Sequence, residues 1–326
     1  MKNIIITGIN GKMGSYLNER LSKKYKIYGI SRKIDKKKRI FSYDKLKMSK
    51  IKFEAIIHLA GVNPEIYSGF KANKVYKKNI EIHKKTIDLI SRKKIQKVIF
   101  FSSFSVYQKT KLIDENSIIS KKNLYARSKI FMEQRLLNMN ISSYILRLSA
   151  ILGKNSSNNW LSSVRDKVKE NNDITFYNPE SIYNNCISVD DVCLSVKKIL
   201  KRNIFEKKIY NLSSNKPIQI REIINILKNN KSYKGNINLR KKNDVFFNNN
   251  SQKIQKELNL KFHNTIDVIG KIFKKDIREK TILFGSNGYI GSFLKHELKE
   301  NYNIFPVHRN NFNNFILNKD KVFKDL

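Results

Sequence analysis

The chain has 326 residues, is 40% hydrophobic and carries a formal net charge of +39, enough apolar matter for a full core in one large or two modest domains. No apolar run reaches membrane-spanning length and no signal-like stretch precedes the first apolar run, so no membrane partner is expected. The Lys residues are spread through almost every segment. They read as solvated faces, so specific nucleic-acid binding is not expected, whereas an anionic substrate would be helped by the field. Cys186 and Cys193 fit no metal or redox spacing, which implies no metal and, by default, a reduced, cytoplasmic setting.

The chain opens on NIIITGINGKMG, residues 3–14. Ile4, Ile5 and Ile6 form the short apolar run of a strand buried on both faces. Gly8, Gly11 and Gly14 follow at three-residue spacing, and a helix with Leu17 and Leu21 four apart comes next. Strand, glycine turn and helix together place bare N–H groups at a helix N-terminus, which suits a dinucleotide pyrophosphate. Gly8 permits the tight turn, Gly11 lets backbone approach the phosphates and Gly14 lets the helix pack on the strand. Thr7, Asn10, Lys12 and Met13 complete this cofactor-binding turn.

A second strand, KIYGISRK, ends in Ser31, Arg32 and Lys33, where NAD sites usually carry an Asp or Glu for the ribose. A guanidinium suits a 2′-phosphate, so NADP(H) is favoured, with NAD the alternative; the competing reading is a solvated basic turn. A short strand is expected at Ile40–Phe41 and a longer one over 53–61, FEAIIHLAG. The latter ends in Leu59, Ala60 and Gly61, where a cofactor would pass, while His58 inside the run reads as packing or support. Residues 72–94 read as a helix and KVIFFSSFSVY, 97–107, as a buried strand ending in hydroxyls. This alternation implies an α/β fold with a doubly wound parallel sheet.

In NLYARSKIFMEQRLL, Tyr125 and Lys129 are four apart on a helix and share one face. A phenol near its free pKa of about 10 is a poor acid–base group at neutral pH. An adjacent ammonium favours the phenolate and brings it toward the working range. Ser103, at the end of the preceding strand, could hydrogen-bond the same substrate oxygen.

The order TGINGKMG (7–14), HLAG (58–61), SSFSVY (102–107), YARSK (125–129) and LRLSAILG (146–153) resembles the extended short-chain dehydrogenase/reductase family, of the NAD(P)-dependent epimerase/dehydratase kind. ISVDDV (187–192) and YNLSS (210–214) resemble its substrate-domain landmarks. The resemblance covers about residues 1–275. It implies a Rossmann domain over 1–153, to which 187–215 return strand and helix, and a small α+β substrate lobe mostly within 154–275. It also implies a nucleotide-sugar substrate, Tyr125 as acid–base residue, Lys129 on the nicotinamide ribose and Ser103 orienting the carbonyl. Family 4,6-dehydratases carry an Asp-Glu pair where this chain has Phe104 and Ser105, so dehydration is not expected. What remains is NADPH-dependent reduction of a 4-keto-6-deoxy sugar, or NAD-dependent 4-epimerisation. A reading from another class is a non-catalytic dinucleotide- or RNA-binding Rossmann protein. Family members often pair through helices corresponding to 79–91 and 125–137, so a homodimer is compatible with the resemblance. Ala150 and Asn184 stand where many members have Asn and Arg, which leaves the base and sugar open.

In the lobe, Trp160, Tyr177 and Tyr183 read first as packing and second as stacking surfaces. One of Asp190 and Asp191 is expected to cap the helix that follows. Ile220, Ile223, Ile224 and Leu227 form one helical stripe. Near the end, TILFGSNGYIGSFLKHELKENYNIFPVHR, 281–309, repeats the opening. At one constant offset Gly285, Gly288 and Gly291 match Gly8, Gly11 and Gly14, and Arg309 matches Arg32. Residues 279–326 are therefore expected to be the start of a second, truncated Rossmann unit without a cofactor site of its own.

Overall fold

The computed structural model describes residues 1–62, 72–121, 123–153, 156–157, 159–229, 233–242, 248–273, 279–298 and 302–308. The chain divides into two compact units, Met1–Phe273 and Lys274–Leu326. The first is built on β1 (Lys2–Thr7), α1 (Lys12–Leu21), β2 (Tyr25–Ile30), β3 (Ile40–Phe41), β4 (Ala55–His58), α2 (Ala72–Arg92) and β5 (Lys97–Ser103). It continues with α3 (Leu124–Asn138), β6 (Ser142–Leu148), α4 (Val189–Lys201) and β7 (Lys207–Leu212). The seven strands form one parallel sheet in the order β7-β6-β5-β4-β1-β2-β3. Strand order reverses between β1 and β4, and a crevice at such a switch point is where open α/β sheets take ligands.

Both faces of the sheet are covered, which is why its strands read as continuous apolar runs. Ile4, Ile6, Ile57 and Ile99 pack with Leu17 of α1 and Val196 and Ile199 of α4. Ile5, Ile56, Val98 and Phe100 face the other way, with Leu89 and Ile90 of α2 and Met132 and Leu136 of α3. The period of two along each strand assigns alternate residues to the two layers.

A smaller cluster lies within the same unit. Phe176, Ile218, Ile220, Ile223, Ile224, Leu227, Val268 and Ile269 are buried together, so the helical stripe expected over 220–227 faces a core. Trp160 sets its edge against Phe176 and Tyr183, with ring centroids 6.0 and 5.2 Å apart, and so serves as packing. The strand Ile174–Tyr177 pairs in parallel with Ile237–Arg240.

Three local expectations change. The strand expected over 97–107 stops at Ser103 and Phe104–Val106 form a 3₁₀ turn. Its cause is the Ser103 hydroxyl, which accepts the Ser105 N–H at 3.2 Å and competes with the ladder. The strand expected over 53–61 is ordered as strand only at Ala55–His58, because the N–H groups of Leu59 and Ala60 donate to Thr7 Oγ1. Ser188 caps α4, accepting the Asp190 N–H at 3.2 Å; neither aspartate is the cap. Asp190 bonds Tyr16 and Arg20 of α1, and buried Asp191 accepts the His263 N–H at 3.0 Å.

One buried ion pair ties β5, α3 and β6 together. Arg147 donates Nη2 to Glu133 Oε2 at 2.7 Å and Nε to Oε1 at 3.2 Å. Its Nη1 donates to Tyr107, whose hydroxyl donates to Asn211 Oδ1 of β7. Ser102 supplies a further donor to Glu133. Both charged side chains are about 5% exposed or less, so each needs the other to remain ionised.

The second unit contains β8 (Glu279–Phe284), α5 (Tyr289–Leu298) and β9 (Tyr302–Val307), with β8 and β9 parallel. Arg309 and the tail after it lie outside the described residues. Removing one partner of the Glu133–Arg147 pair, as in Arg147→Met, is expected to lower stability by about 3–5 kcal/mol, read from the denaturant midpoint.

Candidate active site

The glycine turn sits at the C-terminal end of β1, against β4. Gly8 has φ +71°, a left-handed conformation that favours glycine. Its N–H donates to Ile30 O at 3.0 Å, and its carbonyl accepts the Gly11 N–H at 2.9 Å. Gly11 caps α1 without any side-chain acceptor, so the first N–H groups of the helix stay available to an anion. A Cβ on Gly14 would stand 2.3 Å from the Gly8 oxygen, and one on Gly8 would stand 3.1 Å from Ala60. Such a cradle, bare of side chains and walled by backbone, fits a dinucleotide pyrophosphate.

Thr7, Leu59 and Ala60, all expected from sequence, meet directly. Thr7 Oγ1 accepts both N–H groups, at 3.2 and 3.1 Å. With its lone pairs used, the hydroxyl gives its proton to His58 Nδ1, 2.7 Å away. His58 Nε2 then donates to His83 Nδ1 at 2.8 Å, and the His83 Nε2–H is buried with no hydrogen-bond partner among the described residues. Burial, with the Lys129 charge beside it, pushes His58 down to about 3, and burial also pushes His83 well below the usual histidine range. Both rings are neutral at physiological pH. His58 therefore supports the turn, as its apolar setting suggested.

At the end of β2, Asn10 donates to Ser31 Oγ at 2.9 Å, and Arg32 beside it is exposed. Lys12 reaches Ser157 at 2.6 Å, while the Met13 side chain packs against the core.

The Tyr–Lys pair lies in the first turns of α3, whose cap is Asn123: its Oδ1 accepts the Tyr125 N–H at 2.8 Å. Lys129 is buried and donates Nζ to Phe101 O of β5 at 2.9 Å. That ammonium lies 5.6 Å from the Tyr125 ring centroid and 5.0 Å from that of Phe100. Burial lowers its pKa to about 8, against an opposing effect of Glu133. Ser103 enters through packing, since Phe104 and Val106 just after it are buried with Ala126 and Ile130 of α3. Gly61 closes the ring: a Cβ there would lie 3.7 Å from Lys129 Nζ and 3.6 Å from Asn79 Oδ1.

Asn79 was not singled out from the sequence. It is fully buried on α2, accepts the Val62 N–H at 2.7 Å and donates to Val62 O at 3.0 Å, which fixes the backbone just after HLAG. A usable signal existed: Val75, Asn79, His83 and Thr86 share one buried stripe of α2, and three polar residues on such a stripe need partners. Asn184 is likewise committed, bonding both backbone groups of Asn249 and the Ser214 carbonyl. Among the described residues, no group of three or more His, Cys, Asp or Glu side chains could hold a metal ion, and no helix is long and apolar enough to cross a membrane.

The profile of the NAD dependent epimerase/dehydratase family matches residues 4–213. No curated protein matches the chain. Among solved structures, the UDP-N-acetylglucosamine 4-epimerase from Bacillus cereus is similar, with a TM-score of 0.69, 19% identity, and 84% of this chain and 96% of that one covered. The UDP-Glc/GlcNAc 4-epimerase of the human pathogen Campylobacter jejuni has a TM-score of 0.70 at 19% identity, over 84% of this chain and 98% of that one. RMD from Pseudomonas aeruginosa, complexed with NADPH, has a TM-score of 0.68 at 17% identity, over 84% and 98% respectively. These three likenesses are likenesses of fold.

Two outcomes follow from the geometry. Gly14→Ala is expected to cost about 1–3 kcal/mol in thermal unfolding through overpacking against the Gly8 carbonyl. The unfolded chain binds a proton at His58 near pH 6.5 and the folded one only near 3. Stability should therefore fall as pH drops through that window. His58→Asn, which keeps an acceptor for Thr7, should reduce the slope of the unfolding midpoint against pH.

Proposed function

The chain belongs to the NAD-dependent epimerase/dehydratase family, and from that premise we propose that it reduces the 4-keto group of a nucleotide-linked 6-deoxy sugar with NADPH. The observation that carries this reading is the end of β2. Ser31 is held by Asn10, Arg32 is exposed, and no carboxylate follows Ile30 to take a free ribose hydroxyl. The nearest acid, Asp35, is engaged with the Lys38 N–H and the Ile40 backbone. A guanidinium here suits a 2′-phosphate, and NADPH is the cofactor bound by the similar RMD structure. Phe104 and Ser105 offer no acid–base pair for elimination.

Bound NADPH supplies the hydride in this reading. The chain's own residues do the rest. Thr7, Gly8, Asn10, Gly11, Lys12, Met13 and Gly14 seat the pyrophosphate, with Leu59, Ala60 and Gly61 along its path. Tyr125 gives its proton to the carbonyl oxygen as that oxygen gains charge, and the Ser103 hydroxyl orients the same oxygen. Lys129, fixed by the Phe101 carbonyl, keeps a positive charge beside the phenol and meets the nicotinamide ribose. Most of the protein's contribution is then orientation and electrostatics. UDP-sugar enzymes among the similar structures and the strongly basic chain support a nucleotide-linked substrate. A homodimer through α2 and α3 belongs to the same reading.

The 4-epimerases from Bacillus cereus and Campylobacter jejuni favour a second reading, 4-epimerisation with retained NAD⁺. Titration with NADPH and NADH, after assay for co-purified nucleotide, separates the two. A preference for NADPH that drops at least about tenfold in Arg32→Ala supports the reductase. NAD⁺ that resists dialysis replaces it with the epimerase, and failure to bind either dinucleotide overturns both. Tyr125→Phe is expected to lower turnover of a 4-keto sugar by about 10²–10⁴ while leaving NADPH binding intact. Because the charge on Lys129 is lost near pH 8, kcat/KM should decline above that pH in a pH–rate profile.

A further inference from the structure

Lys129, Glu133 and Arg147 are all buried in the first unit. Lys129 and Glu133 stand one turn apart on α3, and Arg147 comes from β6. Glu133 Oε2 accepts Arg147 Nη2 at 2.7 Å, while Oε1 accepts Arg147 Nε at 3.2 Å and the Ser102 hydroxyl. Three donors thus draw on one carboxylate. Arg147 is itself held from behind: Nη1 donates to the Tyr107 hydroxyl at 2.8 Å, and the guanidinium lies 4.8 Å from the Tyr107 ring centroid.

The same side chains grip the strand that ends in Ser103. Lys129 Nζ donates to the Phe101 carbonyl of β5 at 2.9 Å, and the next residue, Ser102, donates to Glu133. Two residues one helical turn apart therefore hold two consecutive residues of β5, with Ser103 following directly. A change in the hold on Glu133 is felt both at the lysine and at the strand end.

The charges around Lys129 can be followed element by element. Tyr125 and Glu133 share its helix, His58 faces it from β4 and His83 from α2. Burial holds His58 down at about 3 and His83 well below the ordinary histidine range, so both are neutral near pH 7. Burial pushes the Tyr107 phenol behind Arg147 up to about 12, so it too is neutral. What remains is one carboxylate serving two cations, Lys129 and Arg147. Loss of the Glu133 charge leaves two buried cations and disfavours the ammonium. Loss of the Arg147 charge leaves the carboxylate to attract the ammonium undiluted. Loss of both restores the balance at Lys129.

We propose that Glu133 and Arg147 are positioning residues for Lys129: one carboxylate, divided between two buried cations, decides how firmly the lysine holds its proton, and Ser102 ties that carboxylate to the strand carrying Ser103. The inference rests on the reductase reading only in taking Lys129 as a working residue. Neither Glu133 nor Arg147 touches ligand; both act through the lysine. An ion pair with a purely structural part would change the unfolding midpoint of the protein and leave the lysine's titration where it was.

The full chain labelled with ¹³C at lysine Cε and titrated by NMR without cofactor reports the amine directly. The Lys129 signal is the one missing from Lys129→Met, and burial, which lowers its pKa to about 8, makes it titrate before exposed lysines. In Glu133→Gln its midpoint should move down by at least about 0.5 in pH, and in Arg147→Met up by at least about 0.5. The double variant Glu133→Gln/Arg147→Met should return close to the unsubstituted protein. Ser102→Ala removes one donor and keeps the pair, so it should move the midpoint up by a smaller step; it and the double variant decide the matter if a single variant does not fold. Shifts of one sign in both single variants, or an unmoved midpoint in Ser102→Ala, overturn the proposal. The alkaline limb of kcat/KM for NADPH and a nucleotide-linked 4-keto sugar should follow the amine, and a limb that stays fixed while the amine moves also overturns it. An amine that shifts as expected in protein that reduces no such sugar removes the reductase reading and supports the role of the ion pair.

Discussion

The Thr7 hydroxyl holds the first unit's working end together. It sits where β1 ends and the chain turns left-handed at Gly8, and it accepts two N–H groups that β4 can no longer place in a ladder. The sheet reverses order at this point, so the strands must splay and their backbone groups need other partners. One oxygen supplies them. Once it has accepted twice, the direction of its own proton is decided, and with it the tautomers of His58 and His83. A polar choice made at residue 7 is thereby carried from the centre of the sheet to α2.

The Tyr125–Lys129 pair depends on the same framework. Lys129 is buried and donates to the Phe101 carbonyl, and its neighbours in the interior are Phe100, two neutral histidines and the Gly61 backbone. An ammonium in such surroundings is disfavoured relative to water, which is why its pKa falls. Glu133, one turn further on, could neutralise it outright, but its carboxylate is bound by Arg147 and Ser102. The buried ion pair behind α3 thus absorbs the Glu133 charge, and the Lys129 ammonium stays 5.6 Å from the Tyr125 ring centroid.

The strongly basic composition has little part in this. Most Lys side chains are exposed or partly so, and the surface pairs recorded for them, such as Lys85–Glu81 or Lys2–Glu54, contribute little each in water. The interior instead uses few charges, each with a specific partner. In the duplicated second unit the positions that carry Thr7 and Tyr16 in the first carry phenylalanine, Phe284 and Phe293.

Local pattern determined much of this protein. Strand, turn and helix at the start, the Tyr125–Lys129 face, the stripe at 220–227 and the second opening near the end were legible because each rests on backbone periodicity over a few residues. Gly8 and Gly14 were readable as turn and packing glycines for the same reason. Only the tertiary structure decided where buried polar groups find partners. His58 meets His83, Glu133 meets Arg147, and Asp191 meets His263. Each is a pairing between segments far apart in the chain, and spacing along the sequence does not encode it. Even the cap of α4 went to Ser188 over two aspartates, because Asp191 was needed by His263 and Asp190 by α1. A buried polar atom takes whichever partner the fold brings within about 3 Å, and folding alone determines which that is.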